Sequence, residues 1–253
     1  YIESLNGSAS RLKSKYSNRE GAIMNKRVIG ALGTVLIGAT LIAGIGIYVA
    51  GAKTDPNFLE PTKLGILQTP QGNFDHYSLD LSVYPDSIWN KRAVHSDWVS
   101  YGPATNFKLP PHVAVTVTIK QYDSGEKITN DFFAKVRGTL DGSMEVNGEK
   151  VTEINPEAVG HTFTARGLAN GSNKNFFLNV PLPAVSDDQM STKEGEYINP
   201  QVVTFTFITP DSGEYVWNCE FPCGDGTTAR FGAAMSTLGY MSGHIVIDGS
   251  AKA

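Results

Sequence analysis

The sequence predicts an all-β sandwich preceded by a single N-terminal transmembrane helix. Three observations predict it. Residues 28–50 carry no charged side chain. From Asp75 onward, short segments alternate apolar and polar residues and are divided by Gly, Pro and Asn. Across the uncharged run the net charge changes sign.

The uncharged run, Val28 to Ala50, is 23 residues long. At ~1.5 Å per residue it covers ~34 Å, enough to cross a hydrocarbon core of ~30 Å. Ahead of it stand Arg11, Lys13, Lys15, Arg19, Lys26 and Arg27 against Glu3 and Glu20, a formal +4, and the remainder of the chain carries −8. Basic flanks stay in the cytoplasm, so the expected topology is single-pass in the cell membrane, N-terminus cytoplasmic and C-terminal domain extracytoplasmic. Ala50-Gly51-Ala52 also fits a leader cleavage site, which leaves a signal peptide as the other reading of the run. Gly30, Thr34 and Gly38 recur at four-residue spacing. Small residues so placed let a second helix approach closely, so this face is a candidate contact with other subunits of a membrane complex.

Five regions follow from composition. Residues 1–27 form a basic cytoplasmic tail, 28–50 the helix, and 51–72 a linker marked by Pro56, Pro61 and Pro70. Residues 73–111 form an added strand and a loop containing Trp89, Trp98 and Tyr101, and 112–253 the main β domain. In that domain Val113–Ile119 reads as a strong strand, bounded by Pro110-Pro111 and by Asp123-Ser-Gly125. Further strands are expected at 161–165, 175–180, 202–208, 213–217 and 245–247, with one short helix near Asp131 to Val136. Many short strands between turn residues specify a sandwich.

The acidic C-terminal part excludes nucleic acid as a partner, because neutralising phosphates takes clusters of Lys and Arg that it lacks. No Gly-x-Ser-x-Gly elbow, His-x-x-x-His pair or phosphate-cradling loop is present, so the chain is not expected to be an enzyme alone. Asn170-Gly-Ser172 is a glycosylation sequon on the extracytoplasmic side.

Both cysteines of the chain fall in one turn, Cys219-Glu-Phe-Pro-Cys223-Gly224, directly after the strand Gly213-Glu-Tyr-Val-Trp-Asn218. His161 lies in Val159-Gly-His-Thr-Phe-Thr164, and the chain later reads Met241-Ser-Gly-His-Ile-Val-Ile247. In these residues, from about Pro110 to Gly249, the sequence resembles the cupredoxin family. The likeness is strongest to the copper domain of cytochrome oxidase subunit II and to small blue copper proteins. The resemblance implies a Greek-key β-sandwich. It also implies copper held by the His161 imidazole, the Cys219 and Cys223 thiolates and the Met241 thioether. Such a site changes little on redox and serves electron transfer in a respiratory chain.

The sequence departs from the family pattern at one ligand. A second histidine is required a few residues after the last cysteine, and Gly224 to Tyr240 contains none. His244 is the only later histidine; it lies three positions past Met241, where alternation turns it to the opposite face. Asp225 and Glu220 remain as oxygen donors. The alternative is a metal-free accessory subunit of a membrane complex, closed by a Cys219–Cys223 disulfide in an oxidising compartment. His76, His95 and His112 lack ligand-like spacing.

Overall fold

The computed structural model describes residues 28–47, 58–87, 98–125, 127–168, 175–223 and 233–250. The chain divides into two compact units, Tyr1–Asp55 and Pro56–Ala253.

In the first unit, helix α1 (Val28–Ile47) is the one helix among the described residues long and apolar enough to cross a membrane. Beyond the helix's own neighbouring backbone, no described residue lies within 4 Å of where a side chain on Gly30 or Gly38 would begin. The Thr34 hydroxyl is turned back onto the Gly30 carbonyl at 3.0 Å, so its polar group is satisfied within the helix. Residues 48–50 of the expected span lie outside the described residues.

The second unit is a sandwich of two sheets. One runs in the order β1 (Phe58–Leu59), β5 (Asn106–Leu109), β15 (Ser242–Ile247), β14 (Gly213–Asn218), β9 (Val159–Gly167), β10 (Phe177–Pro183). The other runs β2 (Thr62–Thr69), β3 (Gly72–Tyr84), β6 (Ala114–Gln121), β13 (Gln201–Ile208), β7 (Met144–Val146), β8 (Glu149–Val151), with β4 (Ser100–Gly102) on β3. A separate hairpin joins β11 (Ser191–Lys193) to β12 (Glu196–Ile198). Neighbours within each sheet are mostly distant in sequence, because the chain crosses between sheets as a Greek key requires.

Alternation explains which faces meet. In β6 Val115, Val117 and Ile119 are buried while Thr116 and Thr118 face outward, and in β13 Val203, Phe205 and Phe207 point inward opposite them. From the facing sheet come Phe107, Phe163, Tyr215 and Trp217. Trp217 is the hub. Its ring stacks on Phe163 (5.0 Å) and Phe107 (5.8 Å) and meets Tyr101 edge-on (4.6 Å), and its indole N–H donates to the Thr105 carbonyl at 2.7 Å.

Three expectations change. Residues 58–69, expected as linker, are β1 and β2: the register slips between Lys63 and Gly65, and this bulge at Leu64 breaks the alternation a strand would otherwise show. Residues 73–111 are no added layer, since β3 pairs in parallel with β6 from His76↔Ala114 to Val83↔Gln121 and lies inside its sheet. The short helix is a 3-10 turn at Asp131–Ala134, capped by the Asn130 side chain, and the backbone is extended by Lys135. Trp89, His95 and Asn170 lie outside the described residues.

Candidate metal centre

His161 is the third residue of β9 and lies on the face that carries Phe163 and Ala165 into the core. Cys219 follows the last residue of β14, and its N–H donates to the Met241 carbonyl at 2.9 Å, which sets Met241, itself fully buried, beside it. The turn from Cys219 to Cys223 closes on itself. The Phe221 N–H donates to Cys219 Sγ at 3.4 Å, and Cys223 Sγ donates to the Phe221 carbonyl at 3.0 Å. Pro222 brings no competing N–H into this turn.

The two sulfurs lie 3.2 Å apart, and His161 Nδ1 lies 3.0 Å from Cys223 Sγ and 3.7 Å from Cys219 Sγ. Both cysteines are free thiols here; the disulfide that the sequence leaves as the alternative would need the sulfurs to close to ~2.0 Å. His161, Cys219 and Cys223 are 2%, 0% and 3% exposed, and Phe221 sets its ring edge-on to the imidazole at 5.9 Å.

A fourth residue completes the arrangement. Asp123 Oδ2 lies 2.8 Å from His161 Nε2. This contact turns Nδ1 toward the sulfurs and fixes the imidazole in the orientation a ligand needs. Sequence reasoning placed Asp123 only in the turn after β6. Two glycines make its approach possible. A Cβ on Gly125 would run into the backbone of Gly160, and one on Gly160 would press on the Gln121 side chain and the Ser124 carbonyl. We expect Asp123→Ala to weaken metal binding roughly 10- to 100-fold, Asp123→Asn to recover part of the loss, and Gly125→Ala to resemble Asp123→Ala. Competition titration against a chelator measures all three.

The remaining histidines and carboxylates considered above lie elsewhere or are engaged. His244 faces outward in β15, and its N–H donates to Asn106 Oδ1 at 2.9 Å. Glu220 is engaged by Arg166 at 3.2 Å and by the Asn218 amide at 3.1 Å. His112 faces Asp211 at 3.1 Å on the surface, and His76 Nε2 meets the Thr116 hydroxyl at 2.7 Å. Asp225 lies outside the described residues.

Burial alone would lower the His161 value, but the hydrogen bond it donates to Asp123 and the interaction with Cys219 outweigh it and hold the imidazole up to about 9. Burial likewise pushes both thiols up. In Cys219 the hydrogen bonds from Cys223 and His161, with the Thr162 N–H at 3.3 Å, reverse this and bring the thiol well below its ordinary value. Cys223, buried beside that thiolate, stays well above. These directions favour an imidazolium beside a Cys219 thiolate and a protonated Cys223. A metal must displace the protons of His161 and Cys223, so apparent affinity should rise about tenfold per pH unit for each proton displaced, until His161 titrates near 9. Affinities measured between pH 6 and pH 8 check this, and a flat profile would contradict it.

The donors fit a transition metal. From the three separations, the point equidistant from Nδ1 and both sulfurs lies about 1.9 Å from each. Metal-to-nitrogen and metal-to-sulfur distances are ~2.0 and ~2.3 Å, so each donor need withdraw only a few tenths of an ångström.

No protein-family model matches the chain, and no curated protein does. Among solved structures it is similar to auracyanin B, at 12% identity over 74% of this chain and 97% of that one, with a TM-score of 0.32. Reduced rusticyanin matches at 12% identity over 80% and 95%, TM-score 0.34. Dithionite-reduced auracyanin from the photosynthetic bacterium Roseiflexus castenholzii matches at 13% over 68% and 96%, TM-score 0.29. Both proteins are cupredoxins, the family whose motifs this sequence resembles. At these TM-scores the chemistry of the site rests on its own donor atoms. Those donors sit at one end of the sandwich that the sequence predicts.

Proposed function

We propose that the chain is a membrane-anchored, extracytoplasmic cupredoxin-domain protein that binds copper at His161, Cys219 and Cys223, with the Met241 thioether as a further donor. It serves electron transfer as a subunit of a respiratory or other membrane redox complex. The observation that carries this reading is the convergence of one imidazole nitrogen and two sulfurs within 3.7 Å of one another, buried at the end of a rigid sandwich.

Copper, when bound, supplies a one-electron couple. The protein's own groups prepare its place. Asp123 orients the imidazole, the Thr162 and Phe221 N–H groups stabilise charge on Cys219, and Phe221 and Tyr101 help exclude water. Thr162 and Tyr101 sit in packed strands, and Asp123 and Phe221 in turns pinned by hydrogen bonds to the site, so little rearrangement accompanies a change of charge. Metal analysis of the full-length protein purified under reducing conditions tests the reading. Copper should co-purify or load stoichiometrically, and a protein that takes none would overturn it.

A second reading, a metal-free structural subunit, is favoured by the missing second histidine and by sulfurs already 3.2 Å apart. It predicts a Cys219–Cys223 disulfide in protein from cells, visible as a mass gain of ~2 Da on reduction.

The membrane assignment rests on the length and composition of α1, and its orientation on the basic flank. The open face at Gly30, Thr34 and Gly38 is the proposed contact with another subunit. Changing Gly30 and Gly38 together to Ile should release the chain from its complex on a native gel. A complex that assembles normally would remove this face from the account.

A further inference from the structure

The donor set differs from that of the copper centres it resembles by a whole imidazole, and this difference bears on which metal state the site accepts. Among the described residues, His161, Cys219 and Cys223 are the one cluster of three such groups placed to hold an ion. His244 faces the other way, Glu220 is engaged by Arg166 and Asn218, and residues 224–240 add no histidine.

We infer that the site takes a single copper ion and holds it as Cu(I). This rests on the copper reading above and goes beyond it in fixing the number and oxidation state of the metal. Three features support it. Thiolate donors select Cu(I), whereas Cu(II) favours tetragonal sets of nitrogen and oxygen, and the cluster offers one nitrogen among the described residues. The three donors surround one point, about 1.9 Å from each, and a second ion would have no nitrogen of its own among the described residues. Burial of all three side chains keeps out the water that would complete a Cu(II) coordination sphere. Zinc, the other soft-site ion, takes four donors in structural sites, and a thioether is not among its usual ligands. Because the reduced ion is favoured, the couple is shifted to the oxidising side relative to a site with two imidazoles. A centre held this firmly in the reduced state resists oxidation by ferricyanide, which keeps the copper-binding part of the reading above and departs from its electron-transfer part.

The test is an anaerobic titration of the full-length protein in detergent with Cu(I) against a Cu(I) chelator, followed by treatment with ferricyanide and electron paramagnetic resonance. The expected result is one copper per chain, a Cu(I) absorption edge, and no paramagnetic signal from the site after the oxidant. Two copper ions per chain, or a stable Cu(II) signal that Cys219→Ser removes, would overturn the inference while leaving the copper reading intact. Failure to bind copper in either state, with or without zinc binding, would overturn both.

Discussion

Cys219→Ser should abolish tight copper binding while the domain remains folded. The substitution exchanges a soft, polarisable thiolate for a hydroxyl of similar size, so packing at this buried position changes little. The metal loses more. Changing a residue that only supports a ligand typically costs 10- to 100-fold in affinity, and removal of a thiolate donor should exceed that range. The surroundings sharpen the expectation. Cys219 receives the Thr162 and Phe221 N–H groups and faces the Cys223 thiol and the His161 imidazole, which together make it the anion of the pocket. Serine in its place can accept those hydrogen bonds as a neutral group, and the pocket is left with no resident negative charge except Asp123. Chelator competition should show at least a hundredfold loss, with the thermal midpoint of the metal-free protein nearly unchanged. An affinity within threefold of wild type would place the metal elsewhere.

The second large effect concerns the frame. Trp217→Ala should remove about 3–5 kcal/mol of stability, because it opens a cavity among Tyr101, Phe107 and Phe163 that the two sheets cannot close. It also strands the buried Thr105 carbonyl, which now accepts the indole N–H, at a further ~1–3 kcal/mol. Against the ~5–15 kcal/mol typical of a domain, this is a large share of the whole. Trp217 stands two residues before Cys219, so loosening it also loosens the strand end that carries the thiolate. Trp217→Phe refills part of the cavity but leaves the carbonyl unpaired, and its midpoint should fall between wild type and Trp217→Ala in a denaturant titration.

How much of this was legible depends on how local each signal is. The alternation of Val115 to Ile119 and of Val203 to Phe207 is local, and the strands were found within about two residues of their observed ends. The prolines at 56, 61 and 70 and the bulge at Leu64 spell linker even though β2 pairs along its length. The β7–β8 hairpin was missed because each strand is only three residues long, although its Asn147-Gly148 turn, with φ of 51° and 86°, is a strong hairpin signal. In the site, the two cysteines and His161 stand in short motifs of their own and were readable. Asp123 was not, because it is 38 residues from His161 and reaches it only through the close packing of Gly125 on Gly160. That His244 turns away follows from strand alternation and was foreseen.

The most direct measurement is X-ray absorption at the copper edge of the loaded, full-length protein. If copper is held as described, the inner shell contains the two thiolate sulfurs at about 2.3 Å and one nitrogen at about 2.0 Å, with the Met241 thioether as a further sulfur, and the thiolate contribution falls by half in Cys223→Ser. A shell of oxygen and nitrogen alone, or a sulfur signal indifferent to Cys219 and Cys223, would contradict the account.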